Sequence, residues 1–275
     1  MKGEEFIDQI IELALSEDIG SGDATTNSIV SEDQKSKALI FAKQKGIVCG
    51  LEIAEKLFKK LDPNMVFEKL VNDGDWIEKG NKLVIVEGKT RALLTAERTA
   101  LNFLQQLSGI ATRTNEYVEK MGETKTRLLD TRKTTPGLRY PQKHAVKCGG
   151  GKNHRIGLHD LILIKDNHIQ AAGSVTNAIT KTKDTGLRIE VECKTLDQVK
   201  EALGVGVDII MLDNFTPERV KEAIEVINGA VEIELSGGIN FENIGEYSHL
   251  GADFISSGAL THHIISLDIS MDFVE

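Results

Sequence analysis

The chain has 275 residues, 40% of them hydrophobic, enough for one large or two small domains with a packed core. Its 33 Lys and Arg against 42 Asp and Glu leave a net charge of -9, which excludes a general binder of nucleic acid or of anionic membranes. No apolar run approaches the ~18–20 residues of a membrane span.

The start, MKGEEFIDQI, carries acids where a signal peptide has a basic and then an apolar stretch, which predicts a cytoplasmic protein. Residues 4–17 place Phe6, Ile7, Ile10, Ile11, Leu13 and Leu15 near a helical period, and a Gly-Ser-Gly break follows. From 36 to about 89, short apolar or alternating segments are separated by Asp-Pro-Asn and Asn-Asp-Gly-Asp turns, with one helical stretch near 52–61. This reads as a small mixed sheet domain. A long helical pattern then runs from about Arg91 to Met121, with Arg98 on the same face as Leu94 and Leu101. A cation there must meet an anion, reach an interface, or snorkel past the leucines to solvent.

After Lys125 the pattern changes to short strands alternating with amphipathic helices. The strands are RLLD (127–130), LILI (161–164), RIEVE (188–192), DIIML (208–212), VEIEL (231–235) and DFISS (253–257). Helices such as TLDQVKEAL and TPERVKEAIEVI open with a Thr that can cap them. The ends at Glu192, Asp213, Ser236 and Ser257 fall 21, 23 and 21 residues apart, the regular spacing of barrel units. The region is shorter than the ~250 residues of a complete eight-unit barrel. The expected fold is α/β: an N-terminal α/β sandwich domain over residues 1–112, then an open, incomplete barrel of about six strands over 113–275, with the C-terminal tail returning to the first domain.

Nine basic residues and one acid, Asp130, lie between Lys125 and Arg155, a local charge of +8 that leaves -17 elsewhere. A solvated basic face is the common meaning of such a run. Here Arg132-Lys133 and His154-Arg155 are set among Thr, Gly, Pro and Asn, on loops where cations can converge on a small anion. In such barrels the reactive groups sit at the C-terminal ends of strands. Those ends are Asp130-Thr131-Arg132-Lys133, Lys165-Asp166-Asn167-His168, Glu192, Asp213-Asn214, Ser236-Gly237-Gly238 and Ser256-Ser257-Gly258. The two Gly-rich turns suit a phosphate. Glu192 and Asp213 suit ribose hydroxyls or a Mg2+ ion bridging diphosphate oxygens, or else pair with the pocket's own cations. Cys49, Cys148 and Cys193 are far apart with no CxxC, implying free thiols rather than a disulfide framework or structural zinc. The pairs His154/His159 and His262-His263 lack the two-ligand helical spacing of a transition-metal site.

The blocks TRKTTPGLR (131–139), CGGGKNHRIGL (148–158) and LIKDNHI (163–169) resemble the quinolinate phosphoribosyltransferases, also called nicotinate-nucleotide pyrophosphorylases (carboxylating). The resemblance extends through DIGSGDATT (18–26), ERTALNFLQQLSGIAT (97–112), IEVEC (189–193), MLDNFTPE (211–218), LSGGI (235–239) and SSGALTH (256–262). Tyr140-Pro141-Gln142 and Lys152 are departures that touch loop shape rather than chemistry. The implied reaction joins quinolinate to 5-phosphoribosyl 1-pyrophosphate, releasing pyrophosphate and CO2 to give nicotinate mononucleotide for NAD synthesis.

By this resemblance Arg98 from a neighbouring subunit, with Arg132, His154, Arg155 and Lys165, holds quinolinate, beside Thr131 and Thr134 in the same block. Lys133 and Lys165 neutralise the pyrophosphate end, and Glu192 and Asp213 contact ribose hydroxyls and Mg2+. The turns at Ser236, Gly237 and Gly238 and at Ser257, Gly258 and Ala259 cradle the 5-phosphate, with His262 a weaker candidate there. The catalytic set is Lys133, Lys165, Glu192 and Asp213, and the implied assembly is a homodimer or dimer-based oligomer. Competing readings are a relative acting on nicotinate or another acceptor, a molybdenum-locus paralogue, a Schiff-base aldolase using Lys165, and a polyanion-binding module.

Overall fold

The computed structural model describes residues 3–274 and divides into two compact units. Among these residues the first comprises 3–115, 134–150 and 260–274, the second 116–133 and 151–259. Helix α1 (Gly3–Ile19) and the short α2 (Ala24–Ile29) flank the Gly-Ser-Gly break, and the Asp23 carboxylate caps α2 by accepting from Thr26 N–H. Then follow β1 (Lys35–Ala42), β2 (Gly46–Ile47), α3 (Leu51–Leu61), β3 (Val66–Lys69), β4 (Trp76–Ile77), β5 (Lys82–Lys89) and α4 (Thr90–Met121). Helix α3 buries Leu51, Ala54, Leu57 and Phe58, one face of a 3.6-residue period, and β1 buries Ala38, Ile40 and Ala42, one face of a pleat.

The second unit begins at Glu116, within the last two turns of α4, and continues with β6 (Arg127–Leu129). Next come α5 (Arg139–Cys148), which belongs to the first unit, then β7 (Ile162–Ile164), α6 (Asp166–Ala172) and α7 (Val175–Thr180). Units β8 (Ile189–Cys193) with α8 (Leu196–Val205), and β9 (Ile209–Asp213) with α9 (Pro217–Ile227), follow. The chain ends with β10 (Glu232–Ser236), α10 (Ile244–Tyr247), β11 (Phe254–Ser256), α11 (Ala259–His262) and β12 (Ile269–Val274).

The first unit holds a four-stranded sheet in the order β12-β1-β5-β3 and a two-stranded β2-β4 pair. Every pairing is antiparallel, so the sheet is not the mixed one expected from the apolar segments and turns. The tail lies in this sheet: β12 pairs with β1 from Lys37↔Val274 to Ala42↔Ile269. Residues 134–150, expected in the barrel, group instead with the first unit, and the boundary expected at 112 falls after Asn115. The cause is α5, whose Pro141, Ala145 and Val146 are buried and which packs on α1, with Tyr140 stacked on Phe6.

A close approach holds the segment leading into β12. A Cβ built on Gly109 in α4 would lie 2.0 Å from the carbonyl oxygen of Ile265. Gly109→Val is expected to lower the melting temperature, because neither backbone can move far; overpacking of this kind costs about 1–3 kcal/mol. Calorimetry on the purified variant checks it, and an unchanged melting temperature would show that the segment shifts freely.

The second unit's sheet has six parallel strands in the order β6-β11-β10-β9-β8-β7. Strands β6 and β7 form its two edges, as an open α/β barrel requires. The connecting helices are capped as the sequence indicated, Thr195 Oγ1 accepting from Gln198 N–H and Thr216 Oγ1 from Arg219 N–H. Among the described residues no helix is long and apolar enough to cross a membrane.

Candidate active site

A cavity of about 620 Å³ opens at the C-terminal ends of the six strands, within the range of small-molecule sites. Thr131, Arg132 and Lys133 line it after β6, Lys165 after β7, Glu192 from β8, and Asp213 and Asn214 at the end of β9. Glu234 and Ser236 of β10, Gly237 and Gly238 after it, Ser256 of β11, and His154 and Arg155 complete the polar lining, with Leu163 and Met211 the apolar part.

His154 and Arg155 belong to no strand, yet backbone pairing brings them to the mouth. Lys152 N–H donates to Leu128 O at 2.8 Å and Asp130 N–H to Lys152 O at 3.1 Å, so the chain runs beside β6. The fully buried Asp130 carboxylate then accepts from His154 N–H (2.9 Å) and Asn153 Nδ2 (2.6 Å). Asp130 thus holds the Asn-His-Arg turn in place. The Arg155 guanidinium donates to Leu161 O at 3.1 Å, and Asp160 ties the following turn through Ile156 and Gly157 N–H.

The electrostatics favour an anion. Arg132 Nε is buried without a hydrogen-bond partner. Burial, and then the neighbouring Arg132 charge, hold the Arg155 guanidinium below its usual pKa. Two mutually repelling guanidinium groups at one wall are stabilised by a ligand carrying adjacent carboxylates, which planar forks bind bidentately. Opposite charge lies across the mouth, where Lys165 Nζ is 2.6 Å from Glu192 Oε2. Ser256 Oγ donates to Ser236 Oγ at 3.1 Å.

Beneath this layer lies a buried triad. Glu190 and Glu234 occupy mid-strand positions of β8 and β10 and are 0% and 1% exposed, so the strands are not wholly apolar before their ends. His154 Nε2 lies 2.9 Å from Glu190 Oε2 and 3.3 Å from Glu234 Oε2, while its Nδ1 accepts from Arg155 N–H at 2.7 Å. Burial alone would lower the His154 pKa, but the two carboxylates raise it to about 10. Burial, and then the charge of Glu234, push Glu190 up to about 7. Nε2 presents its proton to the two glutamates. Both nitrogens of His154 are thereby engaged by protein, so it supports the cation wall rather than offering a free donor.

The Gly-rich turn after β10 needs its glycines. Gly237 has φ +86° and a Cβ there would lie 2.5–2.7 Å from Asn214, itself left-handed at φ 57°. Gly237→Ala is expected to raise KM about tenfold or more for a ligand whose anionic group rests on this turn, since left-handed strain of about 1–2 kcal/mol adds to the clash. Steady-state kinetics test this, and an unchanged KM would remove the turn from the site.

Other expected residues lie elsewhere. Ser257 is buried, its Oγ donating to Ile239 O and its N–H to Leu129 O, so it is structural. Gly258 leaves room for the Lys133 side chain, and Ala259 opens α11; neither lines the cavity. Thr134 and His262 belong to the first unit, where Thr134 Oγ1 accepts from Arg139 Nε and His262 lies against the His263 ring. Arg98 is also in that unit and is exposed. The buried side of α4 there is Leu93, Ala96, Ala100 and Leu101, so Arg98 does not lie on the apolar face that its spacing from Leu94 suggested. Of the nine cations in the basic window only Arg132, Lys133 and Arg155 line the cavity, and Lys143 is 1% exposed.

Sequence reasoning did not assign a role to Asp130, Glu190, Glu234 or Asn214. A signal for the glutamates existed: each precedes a cavity-lining residue, Glu192 or Ser236, by two positions, which in a strand means the same face.

Two family models match nearly the whole chain, described as the quinolinate phosphoribosyl transferase N-terminal domain over residues 23–108 and C-terminal domain over residues 110–272. A probable nicotinate-nucleotide pyrophosphorylase [carboxylating] of Bacillus subtilis is 45% identical over 93% of this chain and 89% of its own length. A quinolinate phosphoribosyltransferase [decarboxylating] of Nicotiana glauca is 42% identical over 96% of this chain and 81% of its own. The crystal structure of NadC from Streptococcus pyogenes superposes with a TM-score of 0.95 at 42% identity, covering 100% of this chain and 99% of that one.

Proposed function

The chain belongs to the quinolinate phosphoribosyltransferase family, and on that premise we propose how its barrel mouth performs the family's pentosyl transfer. The reaction takes quinolinate and 5-phosphoribosyl 1-pyrophosphate to nicotinate mononucleotide, pyrophosphate and CO2, a step of NAD biosynthesis. The observation that carries the assignment is the guanidinium pair, Arg132 with its buried, unpartnered Nε beside Arg155. Quinolinate has two adjacent carboxylates, and this wall has two adjacent forks.

Lys165 and Lys133 face the departing pyrophosphate, and Glu192 and Asp213 face the ribose hydroxyls. The backbone N–H groups of the 236–238 turn hold the 5-phosphate. As the bond from ribose C1 to pyrophosphate lengthens, C1 gains oxocarbenium character and the quinolinate nitrogen captures it. The protein contributes position and charge complementarity rather than covalent chemistry. The adjacent carboxylate then departs as CO2, its bonding pair stays on the ring carbon, stabilised by the positive nitrogen beside it, and that carbon takes up a proton. Glu192 and Asp213 are oxygen donors of the kind that share Mg2+ with substrate phosphates, and the ion when bound would neutralise pyrophosphate charge.

The exposure of Arg98 supports its serving a neighbouring copy, with a cytoplasmic homodimer of shared sites as the working unit. Mixing Arg98→Ala with Lys165→Ala chains should then restore turnover, since one site of the mixed dimer has neither lesion. Light scattering that shows an active monomer would overturn sharing. The reaction itself is tested by supplying Mg2+ and the donor with either quinolinate or nicotinate. Mononucleotide and CO2 from quinolinate alone are expected; product from nicotinate without CO2 would reassign the acceptor.

A further inference from the structure

Within the first unit four side chains of mixed chemistry converge. Cys49 follows β2, Asp73 sits in the turn before β4, and His144 and Cys148 lie one turn apart on α5. Cys49 Sγ is 3.5 Å from Cys148 Sγ, Cys148 Sγ is 3.5 Å from His144 Nε2, and His144 Nε2 is 3.2 Å from Asp73 Oδ2. All four donor atoms lie within 4.8 Å of one another. Tetrahedral zinc, with bonds of about 2.3 Å to sulfur and about 2.0–2.2 Å to nitrogen and oxygen, sets its ligand atoms about 3.2–3.8 Å apart. The three separations fall in that range.

We propose that Cys49, Asp73, His144 and Cys148 form a zinc site that ties α5 to the β2–α3 and β3–β4 connections. Two sulfurs, an imidazole and one carboxylate select a borderline-soft dication over Mg2+ or Ca2+. The donors are anchored from behind, as metal ligands generally are. Asp73 Oδ1 accepts from Gly50 and Leu51 N–H, both at 3.0 Å, and Oδ2, which shares the Gly50 N–H at 3.0 Å, faces the imidazole. Ser108 Oγ accepts from Cys49 N–H at 2.9 Å. Cys49 is fully buried, Asp73 mostly so, and the His144 side chain is 56% exposed, which leaves one open path for the ion. Binding replaces the two thiol protons, which pass to solvent, and uses neutral imidazole and ionised carboxylate; no redox change occurs. The site also explains why α5, which follows Arg132-Lys133 and precedes the Asn-His-Arg turn in the chain, belongs to the first unit.

The test uses the full chain, reduced and stripped with a chelator, then titrated with Zn2+ alone against a chromophoric chelator and separately with Co2+. One equivalent per chain, a thiolate-to-cobalt charge-transfer band and a higher melting temperature are expected. His144→Ala, at an exposed position, and Cys148→Ser should each weaken binding by more than the about 10–100-fold that an outer partner is worth, and abolish the cobalt band. Uptake of no metal, or equal uptake by the Cys49→Ser/Cys148→Ser double variant, would overturn the site. So would conversion of the two thiols to a disulfide with zinc present, which would make this a redox pair instead. None of these readouts depends on turnover, so a wrong acceptor assignment in the barrel would leave them unaffected.

Discussion

Arg132→Ala is expected to lower kcat/KM for quinolinate by about 10²–10³-fold, the scale for removing one preorganised donor from developing or fixed anionic charge. The physical reason is the asymmetry of its bonding. In the free protein Arg132 Nε is buried with no partner, and the guanidinium depresses the pKa of Arg155. Truncation therefore removes little that stabilises the fold and relieves repulsion, so the melting temperature should hold or rise while turnover collapses. Arg132→Lys should recover little, because an ammonium presents no planar fork to a carboxylate. Steady-state kinetics with calorimetry on both variants check this. Unchanged affinity for quinolinate, or loss of fold in parallel with activity, would show that Arg132 is structural.

His154→Ala is expected to be the largest single loss of stability. It leaves Glu190 and Glu234, 0% and 1% exposed, facing each other without the ring between them. Removing one partner of a buried ionic cluster costs about 3–5 kcal/mol. The pH dependence distinguishes this from simple cavity formation. In the intact triad His154 is raised to about 10, so its contribution is complete below the ordinary imidazole range and is lost as pH rises through about 10. Glu190, raised to about 7 by burial and then by Glu234, works in the same sense: folding favours its protonated form, and that advantage fades as pH rises through about 7. The variant keeps only the carboxyl part. Its deficit is therefore the imidazole part, largest near pH 5, where that contribution is complete, and smaller near pH 10, where it is lost. Denaturant midpoints at the two pH values measure it, and a deficit independent of pH would mean that the carboxylates are not what the ring offsets. The Arg155 turn should also loosen, since His154 Nδ1 no longer accepts its N–H.

Much of the barrel was legible in the residues themselves. Strands 3–5 residues long, polar end groups at regular spacing and Thr caps are local signals, and the six strands formed where the apolar runs lay. Strand-end placement also brought Thr131, Arg132, Lys133, Lys165, Glu192, Asp213 and Ser236 to one cavity, because a parallel sheet directs all its C-terminal ends to one side.

What the chain order hid were pairings between distant segments. Asp130 reads as one more strand-end acid, and only the fold shows it clamping the backbone of His154 from 24 residues away. Glu190 and Glu234 sit inside strands where burial argues against charge, and their tolerance depends on a histidine that reaches them from a loop. Helix α5 lies in the same basic window as the active-site loops, yet its buried Pro141, Ala145 and Val146 take it to the other unit. Cys49 and Cys148 are 99 positions apart, so no spacing rule could pair them or find His144 and Asp73 beside them. Periodicity and capping act over a few residues and are written in the sequence. Which distant groups share a buried space follows only once loops close and the core has excluded water, so tertiary structure decided those partnerships.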